Sequence, residues 1–146
     1  MASDMPGGNE PIARGGPHVR ACLLCERVLR EDDGTLSAIR IVHATLVPPG
    51  PAPPAQTLTL LVMLVRGDER PGLHHVLLKT QLPSGEFVAA KSVPLQMDPG
   101  GPEQSVSVAI ELNFVPRGEG VYWFCLSWNS DGNILTRVPL TAKYLT

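Results

Sequence analysis

Turn-forming glycines and prolines recur at short intervals along the whole chain, and they limit the length of every regular segment between them. The 146 residues include 15 prolines and 14 glycines. The segments between their clusters are apolar or alternate between apolar and polar residues, and none shows a helical period. This pattern is typical of an all-β sandwich or barrel.

Eight strand-length runs can be counted, and several are joined by sequences that favour tight turns. Asp33-Gly34 and Asp131-Gly132 are predicted in hairpin loops, with each glycine at positive φ. We predict an antiparallel eight-stranded β-sandwich with an immunoglobulin-like or C2-like layout. The alternative is a closed eight-stranded barrel. The predicted strands cover residues 19–30, 36–47, 57–65, 74–82, 87–97, 104–115, 121–128 and 134–144.

Proline also indicates where the chain changes direction. The stretch "PPGPAPPA" at 48–55 has few backbone donors, so we expect a surface connection that crosses between sheets. Pro94 lies inside a predicted strand, and it favours an edge strand or a bulge there because proline cannot donate to a ladder.

The domain organisation follows from where apolar residues begin. Residues 1–16 are rich in Gly and Pro with little to bury, and they are predicted to form a disordered tail. Residues 17–146 are predicted to form a single β-sandwich domain.

The first residues lack the apolar core of a signal peptide, and no apolar run has the length of a membrane helix. Three cysteines suit a reducing compartment, so the cytoplasm is the expected location.

Charge excludes one class of partner. The net charge is −2, and the basic and acidic residues are interspersed. Nucleic-acid binding requires a clustered basic face, so no nucleic-acid partner is expected.

The run "GVYWFCLSWNSDG" contains four of the chain's seven aromatic residues. Strand geometry places Tyr122, Phe124, Leu126 and Trp128 on one face, which is wholly apolar and is predicted to be the core face. Trp123 lies on the opposite face with Val121. A tryptophan there needs a cover, either from its own chain or from a partner.

The strand at 57–65 poses the same question, because it is apolar on both faces. Leu61, Met63 and Val65 alternate with the core-facing residues Leu60, Val62 and Leu64. If both strands lie in one sheet, the first three residues join Trp123 and Val121 in one outer apolar patch. Large exposed apolar patches usually mark interaction sites, so these five residues are the candidate interface.

No catalytic, cofactor-binding or metal-binding constellation is predicted. The pair Cys22 and Cys25 has the spacing of a zinc or redox motif, but two residues three apart on a strand face opposite ways, and no second cysteine pair exists. The adjacent His74 and His75 diverge for the same reason. If the chain is an enzyme with an unrecognised site, the candidates are Cys25, His43 and His74.

Two segments of the chain resemble a known family. "VRACLLCERVLREDDGTLSAIRIV" near the start and "GVYWFCLSWNSDGNILTRVPLTA" near the end are similar to a family of small bacterial proteins catalogued as a domain of unknown function. The resemblance implies a bacterial, cytoplasmic, single-domain β-sandwich. It supplies no catalytic or ligand-binding residues.

The expected function is therefore a non-enzymatic binding or adaptor module with a protein partner. One form of this function is association of two copies through an apolar sheet face. One alternative is a small β-barrel that binds an apolar ligand, and another is an enzyme with an unrecognised site. No cofactor is expected.

Overall fold

The computed structural model describes residues 16–48, 54–129 and 133–145. These residues form nine strands. The described residues contain no helix that could span a membrane. The strands are β1 (His18–Arg30), β2 (Leu36–Ile41), β3 (Ala44–Val47), β4 (Gln56–Val65), β5 (Gly72–Gln81), β6 (Phe87–Met97), β7 (Ser105–Phe114), β8 (Gly120–Trp128) and β9 (Asn133–Tyr144).

The described strands are arranged in two separate sheets. One sheet has four strands in the order β2-β1-β4-β7, and the other has five strands in the order β3-β9-β8-β5-β6. The predicted β-sandwich is confirmed, and the alternative of a closed barrel is wrong. The reason is that β6 and β7 end their respective sheets and do not pair with each other.

The strand order is that of an immunoglobulin-like sandwich. In such folds strands B and E pair in one sheet, and strands C, F and G form the other. Here β4 and β7 take the first two places, and β5, β8 and β9 take the other three. The chain also has the tyrosine corner of these folds, since Tyr122 near the start of β8 bonds back to the backbone at Arg117 and Gly118.

The run predicted as one strand at 36–47 is two strands in different sheets, which gives nine strands instead of eight. β2 pairs with β1, and the chain then crosses at Val42 and His43 to the five-stranded sheet. There β3 pairs with β9 in parallel, the one departure from antiparallel pairing among the described strands.

The predicted hairpin at Asp33-Gly34, with its glycine at positive φ, is confirmed. Gly34 has φ +89° in the hairpin between β1 and β2, and Gly85 has φ +95° between β5 and β6. Asp131-Gly132 lies outside the described residues, although β8 and β9 do pair as a hairpin requires. The proline-rich stretch joins β3 to β4, which belong to different sheets as predicted, and residues 49–53 are outside the description.

The edge position predicted from Pro94 is also confirmed, because β5 is the one described strand with which β6 pairs. The predicted tail is outside the description from residue 1 to residue 15. Its disorder and the single-domain boundary at residue 17 stay predictions.

The core lies between the two sheets. Leu60, Val62 and Leu64 project into it from β4 with no exposed surface. From β8 the predicted face of Tyr122, Phe124, Leu126 and Trp128 is buried, which confirms the alternation in the aromatic run. Phe114 contacts the rings of Tyr122 and Phe124 edge to face, with centroid distances of 4.9 Å and 5.9 Å.

Candidate binding surface

The five predicted interface residues are divided between two surfaces. Leu61, Met63 and Val65 lie on β4, which belongs to the four-stranded sheet. Trp123 and Val121 lie on β8 in the five-stranded sheet. The predicted single patch required both strands to lie in one sheet. Because they lie in different sheets, the two groups are on opposite outer faces of the sandwich.

The β4 group offers little accessible surface. Leu61 is 6% exposed beside Leu23 and Ala109 on the neighbouring strands, and Met63 is half-buried. Val65 is also half-buried, next to Ser105. A partner would gain little contact with these three side chains.

The outer face of the five-stranded sheet exposes much more apolar surface. Phe87 on β6 is 54% exposed, and Ile134 on β9 is 65% exposed. The strand register places both side chains on the same side as Trp123. Phe87 and Trp123 are both register partners of Gln81. Ile134 is the register partner of Ser127, which shares a face of β8 with Trp123. Other exposed apolar side chains on this face are Leu46, Leu73 and Val121.

Two aromatic rings on this face lie next to cations. The guanidinium of Arg137 lies over the ring of Trp123, 4.2 Å from its centroid. The ammonium of Lys79 is 5.9 Å from the centroid of Phe87. Both distances are within the range of cation–π attraction. Trp123 is therefore half-covered by its own chain, on the side where Arg137 lies.

Between these two pairs lies a groove of about 420 Å³, which we call the outer groove. Cys125 lies near its middle, because Lys79 and Arg137 are its register partners on β5 and β9. The full lining is Leu77, Lys79, Gln81, Phe87, Cys125, Leu126, Ser127, Asn129, Ile134 and Arg137.

The charge of this face has one sign. Lys79, Arg137 and Lys143 face outward, and the described positions of the five strands place no carboxylate on this side. Neither Lys79 nor Arg137 forms an ion pair with any described residue. The face thus combines exposed apolar and aromatic groups with positive charges that form no ion pair with a described residue.

Sequence reasoning identified Trp123 and Val121 but missed Phe87, Ile134, Lys79 and Arg137. The period-two pattern assigns each of these to a face of its own strand. Which strands lie side by side was unknown, so residues from four strands could not be combined into one surface.

The residues named as candidates for an unrecognised enzyme site lie apart in the fold: Cys25 on β1, His43 on the β2–β3 connection and His74 on β5. Cys22 and Cys25 lie on opposite faces of β1, as predicted, with Cys22 toward the core. Burial raises the pKa of both thiols, that of Cys22 to about 11. The Sγ atom of Cys25 donates to the carbonyl oxygen of Thr59, and His43 is exposed on the β2–β3 connection.

His74 lies at the end of the sandwich, where its ring packs against other side chains. Its ring stacks on Trp128 with a centroid distance of 5.1 Å, and Nδ1 is 3.7 Å from the carboxylate of Glu69. Across the described part of the chain, no three His, Cys, Asp or Glu side chains are arranged to hold a metal ion.

No protein-family model and no curated protein matches the chain. Solved structures do show similarity. A β-glucosidase from Erythrobacter marinus is 14% identical with a TM-score of 0.49, covering 87% of this chain and 15% of the enzyme. An immunoglobulin-like protein from Pseudomonas aeruginosa is 12% identical with a TM-score of 0.45, covering 90% of this chain and 99% of that protein.

A β-glucosidase from Listeria innocua is 12% identical with a TM-score of 0.44, and the match covers 86% of this chain and 16% of the enzyme. The chain thus spans a small fraction of either β-glucosidase. Likenesses at these identities and TM-scores carry no functional argument, and the fold assignment rests on the strand order described above.

Proposed function

We propose that the chain is a non-enzymatic binding module that recognises a protein partner through the outer face of the five-stranded sheet. The observation that carries the proposal is the combination of exposed Phe87 and Ile134 with Lys79 and Arg137, two cations that form no ion pair with a described residue, around the outer groove. Aromatic and arginine side chains are enriched at protein interfaces and at their energetic hot spots.

The charge of the face indicates the chemistry of the partner. A segment that brings carboxylates to Lys79 and Arg137 gains charge-assisted hydrogen bonds without breaking an ion pair to a described residue. Its apolar side chains would cover Phe87, Ile134 and the exposed part of Trp123. The preferred partner is therefore an acidic segment that also carries apolar residues.

The same charge argues against self-association through this face. In a two-fold symmetric dimer the same patch meets itself, so Lys79 and Arg137 of one copy would face those of the other. Like charges at close range destabilise such a contact. A second copy of the chain is thus a poorer partner here than an acidic protein.

Selection from a display library of random peptides tests the proposal. We expect the selected peptides to be enriched in Asp and Glu together with apolar residues, and to bind less tightly as salt concentration rises. The double variant Lys79→Glu/Arg137→Glu should lose this binding, since both cations become anions.

The matched control is Arg27→Glu/Arg30→Glu, which makes the same charge change at exposed positions on β1. It should bind the selected peptides as the native chain does. Selected peptides without an acidic excess, or equal loss of binding in both double variants, would contradict the proposal.

A further inference from the structure

The sandwich is open along the side where β6 and β7 end their sheets, and a second cavity lies there. Its volume is about 530 Å³. We call it the edge cleft. Its lining includes Leu78, Val88, Lys91, Leu112, Phe114 and Phe124.

The interior of the edge cleft is apolar and reaches the core. Phe124 and Leu78 are fully or almost fully buried and come from the five-stranded sheet. Phe114 and Leu112 come from the facing sheet, and Phe114 is 3% exposed. The buried residues form the floor of the cleft, and the half-buried Val88 and Leu112, one from each sheet, are apolar side chains that a ligand there could contact.

A lysine occupies an inward-facing position of β6 at the opening of the cleft. Lys91 is the register partner of the buried Leu78, so its side chain leaves β6 on the inner side of the sheet. Its ammonium donates to the backbone carbonyl oxygen of Glu111 on β7 at 2.6 Å. An ammonium has three N–H groups, and a single described residue accepts from this one.

The other charged groups at the opening are Arg117 and Glu111. The guanidinium of Arg117 forms no hydrogen bond or ion pair with a described residue, whereas its backbone N–H bonds to Tyr122. Glu111 is exposed, and its register partner Thr59 faces the outside of the sandwich. The cleft is thus lined by two cations, Lys91 and Arg117, and one carboxylate, Glu111, and its charge is positive overall.

We propose that the edge cleft binds a small amphipathic carboxylate, with its apolar chain between the sheets and its carboxylate on Lys91. The volume is within the range of about 300–1,000 Å³ that is usual for ligand sites, which combine an apolar lining with a few polar groups. Charge complementarity selects an anionic head group over a neutral or cationic one. This inference does not depend on the proposed function, since the edge cleft and the outer groove have no lining residue in common.

Calorimetry with decanoate and with 1-decanol on the full chain tests the apolar and the ionic contributions separately. We expect saturable binding of both probes, with decanoate the tighter. Lys91→Gln should weaken decanoate binding by roughly 10-fold, which corresponds to about 1.4 kcal/mol, and leave decanol unchanged. Lys143→Gln, which removes one positive charge from the outer face, is the matched control and should bind both probes normally.

A second variant tests the location of the site. Val88→Phe replaces a half-buried valine at the rim of the cleft with a larger, aromatic side chain, on an edge strand that tolerates aromatic residues. It should abolish binding of both probes, whereas Val121→Phe on the outer face should not. Absence of binding to the native chain, equal decanoate affinity in Lys91→Gln, or normal binding by Val88→Phe would each overturn the proposal.

Discussion

The hydroxyl of Tyr122 donates to the carbonyl oxygen of Gly118 at 2.8 Å and closes the turn between β7 and β8. The hydroxyl oxygen of Tyr122 also accepts the backbone N–H of Arg117 at 2.6 Å. The side chain thus holds two backbone groups of a connection that has to turn sharply between sheets.

Tyr122→Phe removes both bonds without changing the ring. We expect the free energy of unfolding to fall by about 1–3 kcal/mol, because the backbone groups lose their partner in a half-buried site. Urea unfolding followed by tryptophan fluorescence measures the change. Tyr144→Phe is the control, since that ring is 50% exposed and its loss of a hydroxyl should have little effect.

Phe124 and Trp123 are neighbours in sequence but face opposite sides of their sheet. Phe124→Ala should lower the stability by about 3–5 kcal/mol, since it empties part of the core. Trp123→Ala should cost about 1–2 kcal/mol, from the loss of partial burial and of the Arg137 contact. Equal losses in thermal unfolding would show that Trp123 belongs to the internal packing.

Glu69 holds the indole of Trp128 at the end of the sandwich. Its carboxylate accepts the Nε1–H of that residue at 3.1 Å and lies near His74. Glu69→Ala should lower stability by about 1–3 kcal/mol, because the buried indole N–H loses its acceptor. Glu69→Gln keeps an acceptor oxygen and should lose less.

Asp68→Ala is the control for Glu69→Ala, since it removes an exposed carboxylate from the same loop. Its unfolding temperature should match that of the native chain. If Glu69→Ala is as stable as Asp68→Ala, the bond to Trp128 contributes nothing measurable.

Burial of Cys22 makes stability depend on alkaline pH. The pKa of this thiol rises from its ordinary value of 9.0 to about 11 in the folded chain. Above pH 9 the unfolded chain loses this proton while the folded chain retains it, so the stability falls as pH rises from about 9 to 11. Below pH 9 the thiol is protonated in both states and has no effect on the slope.

Urea unfolding at several pH values between 8 and 11 measures this slope. Cys22→Val removes the titrating group and keeps an apolar side chain of similar size, so its stability should fall less steeply. Parallel curves for the two proteins would contradict the assignment of the pKa shift to Cys22.

Features within one strand could be predicted from the sequence. The alternation in β8 placed Tyr122, Phe124 and Trp128 in the core because the side-chain period is fixed by backbone geometry. Asp33-Gly34 was predicted in a hairpin because glycine reaches positive φ without steric cost, and its φ is +89°.

The register between strands, and the pairing of strands that no tight turn joins, could not be predicted. The run at 36–47 contains no glycine or proline, and nothing in it marks Val42 and His43 as the point where the chain changes sheets. The contact of Arg137 with Trp123 depends on the register of β9 against β8. An alternation pattern in a single strand contains no information about its neighbour.

The parallel pairing of β3 with β9 has a consequence for synthesis on the ribosome. Residues 44–47 emerge early, but their partners are residues 141–144. The five-stranded sheet therefore cannot be completed until nearly a hundred further residues have been translated. Until then Val47, which is 2% exposed in the finished fold, has no strand beside it, and the nascent chain carries an open sheet edge.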